Sequence, residues 1–172
     1  MKLETFIVVQ GNRLTLPDGT EFRCAVGRGG FIPASEKREG DGATPMGDWP
    51  LRRVLYRPDK APAPKTVLPT EPISPDDGWC DDPEDPAYNK PVKKPCAASH
   101  ESMWREDRLY DVVLILGHND DPPVPGAGSA IFMHVAQPDY SPTEGCVALA
   151  PADLDKLLNA VDFRTKIRIL QA

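Results

Sequence analysis

Apolar residues along this chain come in short runs of strand length, separated by polar and proline-rich breaks. "ETFIVVQ" (4–10) is a continuous apolar run of strand length. "RLTLPDGTEFRCAVG" (13–27) reads as two short strands joined at "PDGT", where proline and glycine suit a hairpin. "WPLRRVLY" (49–56) is a further strand. "LYDVVLILGHND" (109–120), "SAIFMHVA" (129–136) and "CVALA" (146–150) are dense in Val, Ile, Leu and Phe, as buried strands are. The clearest helix follows in "PADLDKLLNAV" (151–161). Pro151 suits its first turn, Asp153 complements its dipole, and Leu154, Leu157, Leu158 and Val161 recur at helical spacing. "FRTKIRIL" (163–170) then alternates like a half-buried strand. With no βαβ rhythm and no internal repeat, the expectation is a mainly β fold with one helix near the C-terminus.

One segment breaks the pattern. Ten of the 20 prolines lie between Pro58 and Pro95. A run so poor in amide donors is expected to form neither a helix nor a central strand. It also carries Trp79 and Tyr88, and its flanks are short for two separate cores. The expected organisation is therefore one domain over residues 1–172, with 58–95 as a long insertion lying over it, in the manner of a lid or substrate-binding loop.

Composition narrows the function. The 172 residues are 40% hydrophobic and 27% charged, ordinary for a globular protein. The net charge of −6 argues against a nucleic-acid partner, because neutralising phosphates needs a basic surface. No apolar run approaches the roughly 18 residues of a membrane span, and the first residues lack the pattern of a secretory signal. The four cysteines, Cys24, Cys80, Cys96 and Cys146, form no CxxC pair. Cys80 and Cys96 would close a plausible disulfide loop, but free thiols are the stronger expectation, and a structural zinc site is weaker still.

The candidate chemistry centres on Cys146. A thiol attacks a carbonyl efficiently only when a base removes its proton, and histidine is the usual partner. Of the three histidines, His134 ends the apolar strand "AIFMHVA". The segment between His134 and Cys146 holds two prolines and a glycine and is expected to turn back, bringing the two together. Gly145 leaves room for a substrate, and the amides of Gly145 and Cys146 are candidate donors to an oxyanion. On spacing alone, a buried structural thiol beside a core histidine remains open. A metal site built from His118, His134 and Cys146 is a remote alternative.

A strand histidine, a turn, then Thr143-Glu144-Gly145-Cys146-Val147 resembles the L,D-transpeptidase catalytic domain, the YkuD-type domain. "REGDGATPMGDWPL" is similar to that family's Gly-x-x-x-Thr-Pro-x-Gly segment, and "GSAIFMH" to its strand leading into the histidine. The resemblance implies a β-sandwich of mixed sheets that needs no metal or cofactor. Cys146 would attack the meso-diaminopimelate–D-alanine bond of a peptidoglycan stem peptide, with His134 as base and the Gly145 carbonyl orienting it. An amine acceptor would complete a cross-link; water would give L,D-carboxypeptidase or endopeptidase activity, and a non-catalytic murein-binding module is the other alternative. The implied substrate suggests the cell envelope, although a cytoplasmic role on wall precursors stays open. Where many members read Ser-His-Gly-Cys-Ile-Arg, this chain has Glu144 and Ala148 in place of the second and last residues. Thr143, Glu144, Arg105, Trp104 and His118 are then the candidate substrate contacts. Arg108, His100 and Glu101 are secondary candidates. Thr44, Pro45, Gly42 and Gly47 are expected to shape a turn near the site.

Overall fold

The structure is a computed structural model that describes residues 3–172. Its strands are β1 (Thr5–Gln10), β2 (Arg13–Thr15), β3 (Glu21–Ala25), β4 (Phe31–Pro33), β5 (Thr44–Tyr56), β6 (Thr70–Pro72), β7 (Asp77–Cys80), β8 (Pro91–Lys93) and β9 (His100–Ser102). There follow β10 (Val112–Leu116), β11 (Phe132–Val135), β12 (Val147–Leu149), the helix α1 (Pro151–Ala160) and β13 (Thr165–Leu170). Each apolar run identified above holds a strand, and the helix lies where its leucine spacing puts it. Val161 sits just past the end of α1 in extended backbone, yet still reaches the core.

Ten strands form one mixed sheet in the order β10-β11-β12-β3-β2-β1-β13-β5-β4, with β6 beside β5. The pairs β1–β13, β11–β12, β4–β5 and β5–β6 are parallel. The 13-residue β5 bends this sheet into a sandwich: Gly47–Pro50 pair with β13, and Leu51–Tyr56 pair with β10. One strand thus belongs to both layers, and the path closes on itself. Inside lies the main apolar cluster, where Leu154, Leu157 and Leu158 of α1 meet Ile7, Val9, Met133 and Leu149.

The proline-rich insertion departs from the expectation that it would form no central strand. It contains β6, β7 and β8, and β7 is the centre of a second sheet ordered β8-β7-β9. The prolines obey the donor rule all the same: Pro72 lies in the edge strand β6 and Pro91 in the edge strand β8, whereas β7, "DGWC", has none. Burial of aromatics orders the segment. Trp79 is buried and meets Phe132 of β11 edge-to-face, with ring centroids 4.9 Å apart. Ile73, Met103, Tyr110, Val113 and Ile115 complete this second cluster, which includes Cys146. The insertion is therefore a wall of the protein, packed against the outer face of β10 and β11. The four cysteines are free thiols.

Candidate active site

Strand periodicity determines which side chains of β11 and β12 can meet. In β11 and the residue before it, Ile131, Met133 and Val135 face the main cluster, which leaves Phe132 and His134 on the opposite face. In β12, Val147 and Leu149 face the main cluster, while Ala148 and the preceding Cys146 face the other way. The parallel register sets His134 against Ala148, so His134 and Cys146 are diagonal neighbours on one face, about 7–8 Å apart at the backbone. Both line a cleft of about 930 Å³.

Cys146 is only 8% exposed. Its thiol donates to the Ala130 carbonyl at 3.2 Å, and the Phe132 amide donates to the sulfur at 3.4 Å. Ala130 is held at φ +54°, and its amide donates to Asn89 Oδ1 at 3.0 Å. The His134 Nδ1 lies 2.9 Å from the Val135 carbonyl. A carbonyl only accepts, so Nδ1 carries the proton and Nε2 keeps its lone pair. Burial pushes the Cys146 thiol up to about 12, with the Glu101 carboxylate adding to it. Burial also pulls His134 down to about 4. The resting pair is therefore a thiol and a neutral imidazole.

Gly145 differs from expectation. Its carbonyl does not orient His134; Val135 does. Thr44 Oγ1 donates to the Gly145 carbonyl at 2.9 Å while accepting from the Gly27 amide at 2.8 Å. The Gly145 amide is also engaged, donating to Thr143 Oγ1 at 3.1 Å, and that hydroxyl donates to the Cys146 carbonyl at 2.6 Å. Only a glycine fits here: φ is +135°, and a Cβ would stand 2.9 Å from the Ala43 carbonyl. Thr44 and Pro45 are likewise corrected, from a turn to the start of β5. Thr44 ties the nucleophile loop to the sheet, a role that its place in a Thr-Pro-x-Gly element signals only through its buried hydroxyl.

The other expected contacts divide. Thr143, Glu144 and Arg105 line the cleft. The exposed Glu144 carboxylate is paired with Arg28 at 3.0 Å, and Arg105 forks onto Asp107 at 2.9 and 2.6 Å. Trp104 and His118 do not line it. Trp104 packs on the second cluster with the Arg57 guanidinium 3.6 Å from its ring centroid. His118 is buried edge-on against Trp49 at 4.8 Å, and burial lowers it to about 4. Arg108 pairs with Asp111, and His100 Nδ1 meets the Ala98 carbonyl at 2.8 Å; both lie off the cleft. Among the described residues no group of three or more potential ligands is placed to hold a metal, and the His118–His134–Cys146 alternative finds no geometry.

Sequence reasoning left the opposite wall largely unassigned. Tyr110 donates its hydroxyl to Glu101 Oε1, and its ring meets His134 edge-on at 5.4 Å. Lys37, Glu39 and Ser129 complete the wall, with Ser129 donating to Glu39 at 2.5 Å and Lys37 bound to Asp41 at 2.5 Å.

Residues 4–169 match the family described as YkuD, L,D-transpeptidase catalytic domain. No curated protein sequence matches the chain. Among solved structures, it is similar to the helical cell shape determining protein Pgp2 from Campylobacter jejuni, at 14% identity and a TM-score of 0.48. That similarity covers 98% of this chain and 48% of the other, so the chain spans about half the length of that protein. Among the described residues no helix is long and apolar enough to cross a membrane.

Proposed function

The chain belongs to the L,D-transpeptidase catalytic domain family, and from that premise we propose that residues 1–172 act as one cysteine-dependent acyl-transfer domain on peptidoglycan stem peptides. The observation that carries this reading is the shared face of His134 and Cys146 beneath one cleft. Cys146 Sγ attacks the carbonyl of the meso-diaminopimelate–D-alanine bond, and His134 Nε2 takes the thiol proton. Burial holds the thiol protonated and the imidazole neutral, so a separated thiolate–imidazolium pair is disfavoured before attack. Proton transfer therefore accompanies attack instead of preceding it. The amide of Cys146 is the donor offered to the oxyanion, since that of Gly145 is engaged by Thr143. Collapse of the tetrahedral intermediate expels D-alanine, protonated by His134, and leaves a thioester. An acceptor amine resolves it to a 3→3 cross-link, or water to a trimmed peptide. The substrate class implies action at the cell envelope.

The test is incubation of the protein with disaccharide tetrapeptide, followed by intact mass. The expected adduct on Cys146 is the acyl donor less D-alanine, absent in Cys146→Ala. Cross-linked dimers identify transpeptidation, and tripeptides identify L,D-carboxypeptidase activity. Binding without any adduct would identify a murein-binding module and overturn the catalytic reading.

A further inference from the structure

A second depression, of about 910 Å³, lies between the segment 60–65 and α1. Val112, Val135 and Leu154 form its apolar floor, and Ala61, Pro62, Ala63 and Pro64 stand above them as one wall. Around this floor are Lys60, Lys65, Arg108 and Lys156, against only two carboxylates, Asp111 and Asp155. Lys60 and Arg108 share Asp111, at 2.8 and 3.5 Å, whereas the exposed Lys65 and Lys156 form no ion pair among the described residues. The groove is therefore locally basic in a chain whose net charge is −6. Its proline-rich wall is tied at one end, where the Lys60 and Ala61 amides donate to the Arg57 carbonyl at 3.1 and 3.3 Å. Beyond Ala61, the backbone groups of 62–65 bond to nothing else among the described residues and stay open to a ligand.

We propose that this groove docks an extended acidic segment of another protein, with aliphatic side chains on the apolar floor and carboxylates on Lys65 and Lys156. Charge complementarity selects the sign, and the open backbone of 62–65 selects a peptide, which can hydrogen-bond along it. Other anions match less well. No aromatic ring lines the groove for a nucleobase to stack on. An anionic bilayer would meet the overall negative charge of the chain as well as the groove. Pro151, Asp155 and Asn159 recur every four residues along α1, a stripe of about 12 Å that matches about four extended residues. Position separates this site from the catalytic cleft. Val135 lines the groove while its neighbour His134 lines the cleft, and the Val135 carbonyl is the group that holds His134 Nδ1. A partner is thus seated behind the strand that carries the base, and the cleft stays open to substrate. The inference goes beyond the acyl-transfer reading and does not depend on it.

The probes are three end-blocked hexapeptides: glutamate alternating with leucine, glutamine alternating with leucine, and glutamate alternating with glycine. Each is titrated into the isotopically labelled full chain and followed by amide shifts in NMR spectra. The glutamate–leucine peptide is expected to move the signals of 60–65 and α1. It should bind about tenfold tighter than its glutamine counterpart at low salt, the scale of two exposed ion pairs, and the margin should shrink at about 0.5 M salt. The glycine peptide, which leaves the apolar floor uncovered, should bind more weakly than either. Lys65→Gln combined with Lys156→Gln should remove the preference for glutamate over glutamine. Lys90→Gln, at an exposed lysine outside the groove, should keep it. Ala63→Glu, on the exposed wall, should abolish binding of the acidic peptide. No binding of any peptide, equal binding of the glutamate and glutamine peptides, or shifts confined to the catalytic cleft overturns the proposal. So does recruitment to phosphatidylglycerol vesicles that is lost with both lysines, which would make the groove a membrane contact. Self-association lost with both lysines, read by sedimentation, overturns it equally by making a second copy the occupant. The double-lysine variant should form thioester at the wild-type rate. Peptide binding in a wild-type chain that forms no thioester removes the acyl-transfer reading and leaves the groove standing.

Discussion

The resting state of Cys146 can be tested by titrating its reactivity. The thiol is buried and pushed to about 12, against an ordinary 9.0. Three units lower the thiolate fraction at neutral pH by about a thousandfold. A more basic thiolate is also a better nucleophile, by about 0.4–0.5 log unit for each unit of pKa, so the net slowing is about fiftyfold. Low exposure slows it further. The assay is alkylation by iodoacetamide between pH 6 and 10, read cysteine by cysteine from peptide masses, with the denatured chain as reference. Half-buried Cys96 should label first. Cys24, buried in the main cluster and also raised to about 12, should lag as Cys146 does. His134→Ala should change this resting reactivity little, because the thiol is bonded to Ala130 and Phe132. The same variant should abolish acylation by substrate. Rapid labelling of Cys146 with an inflection near pH 6 to 7, lost in His134→Ala, would mean a preformed thiolate–imidazolium pair and would refute this reasoning.

Thr44→Val removes a fully buried hydroxyl and leaves the Gly27 amide and the Gly145 carbonyl without it. The expected loss is about 1–3 kcal/mol in urea unfolding, accompanied by slower acylation. Gly145→Ala meets both a φ of +135° and the Ala43 carbonyl at 2.9 Å, so acylation should fall further than stability loss alone explains. Trp79→Ala opens a cavity against Phe132 and should cost about 3–5 kcal/mol, read as a lower urea midpoint. His118 and His134 are both held neutral, at about 4 against an ordinary 6.5. Below pH 6.5 the unfolded chain takes up protons that the folded one refuses, so stability is full above that pH and falls towards pH 4. Each histidine contributes up to about 3 kcal/mol of that loss, and His118→Phe should remove about half of the slope.

What was legible in the sequence was the run of apolar residues. Runs of strand length located the strands of the sandwich, and the two-residue alternation of a strand makes His134 and Cys146 share a face once their strands pair in parallel. The three-residue strands β4, β6, β8 and β9 are too short to alternate detectably. They are held by contacts with no local signature, such as Trp79 on Phe132 and the backbone pairing of β7 with β9. Proline content concealed them further, because the donor rule forbids central strands but not edges. Thr44 was read as a turn former because its neighbours are glycine and proline, while its hydroxyl bonds to residues 17 and 101 positions away. His118 and Trp104 were expected in the cleft from the chemistry of their rings, and both rings are occupied by aromatic or cationic neighbours instead.

Asn89 explains why the insertion is a wall of the site and not a detachable cover. Its side-chain amide makes four bonds. Oδ1 accepts from Trp79 Nε1 at 2.9 Å and from the Ala130 amide at 3.0 Å. Nδ2 donates to the carbonyls of His118 at 3.2 Å and Asn119 at 2.7 Å. Two donors and two lone pairs are the full capacity of an amide, so one buried side chain from the insertion is saturated by its own Trp79 and by the loop that precedes β11. Ala130, fixed in this way at φ +54°, presents the carbonyl that accepts the Cys146 thiol. Swinging the insertion away would strand the Ala130 amide and the carbonyls of His118 and Asn119 at once, and would strip the nucleophile's hydrogen-bond acceptor of its support. Unpaired buried groups cost about 1–3 kcal/mol each, before any exposure of Trp79 and Tyr88. A motion that opens the cleft must therefore come from parts of the insertion that lack such ties. The segment bearing Trp79 and Asn89 stays with the nucleophile.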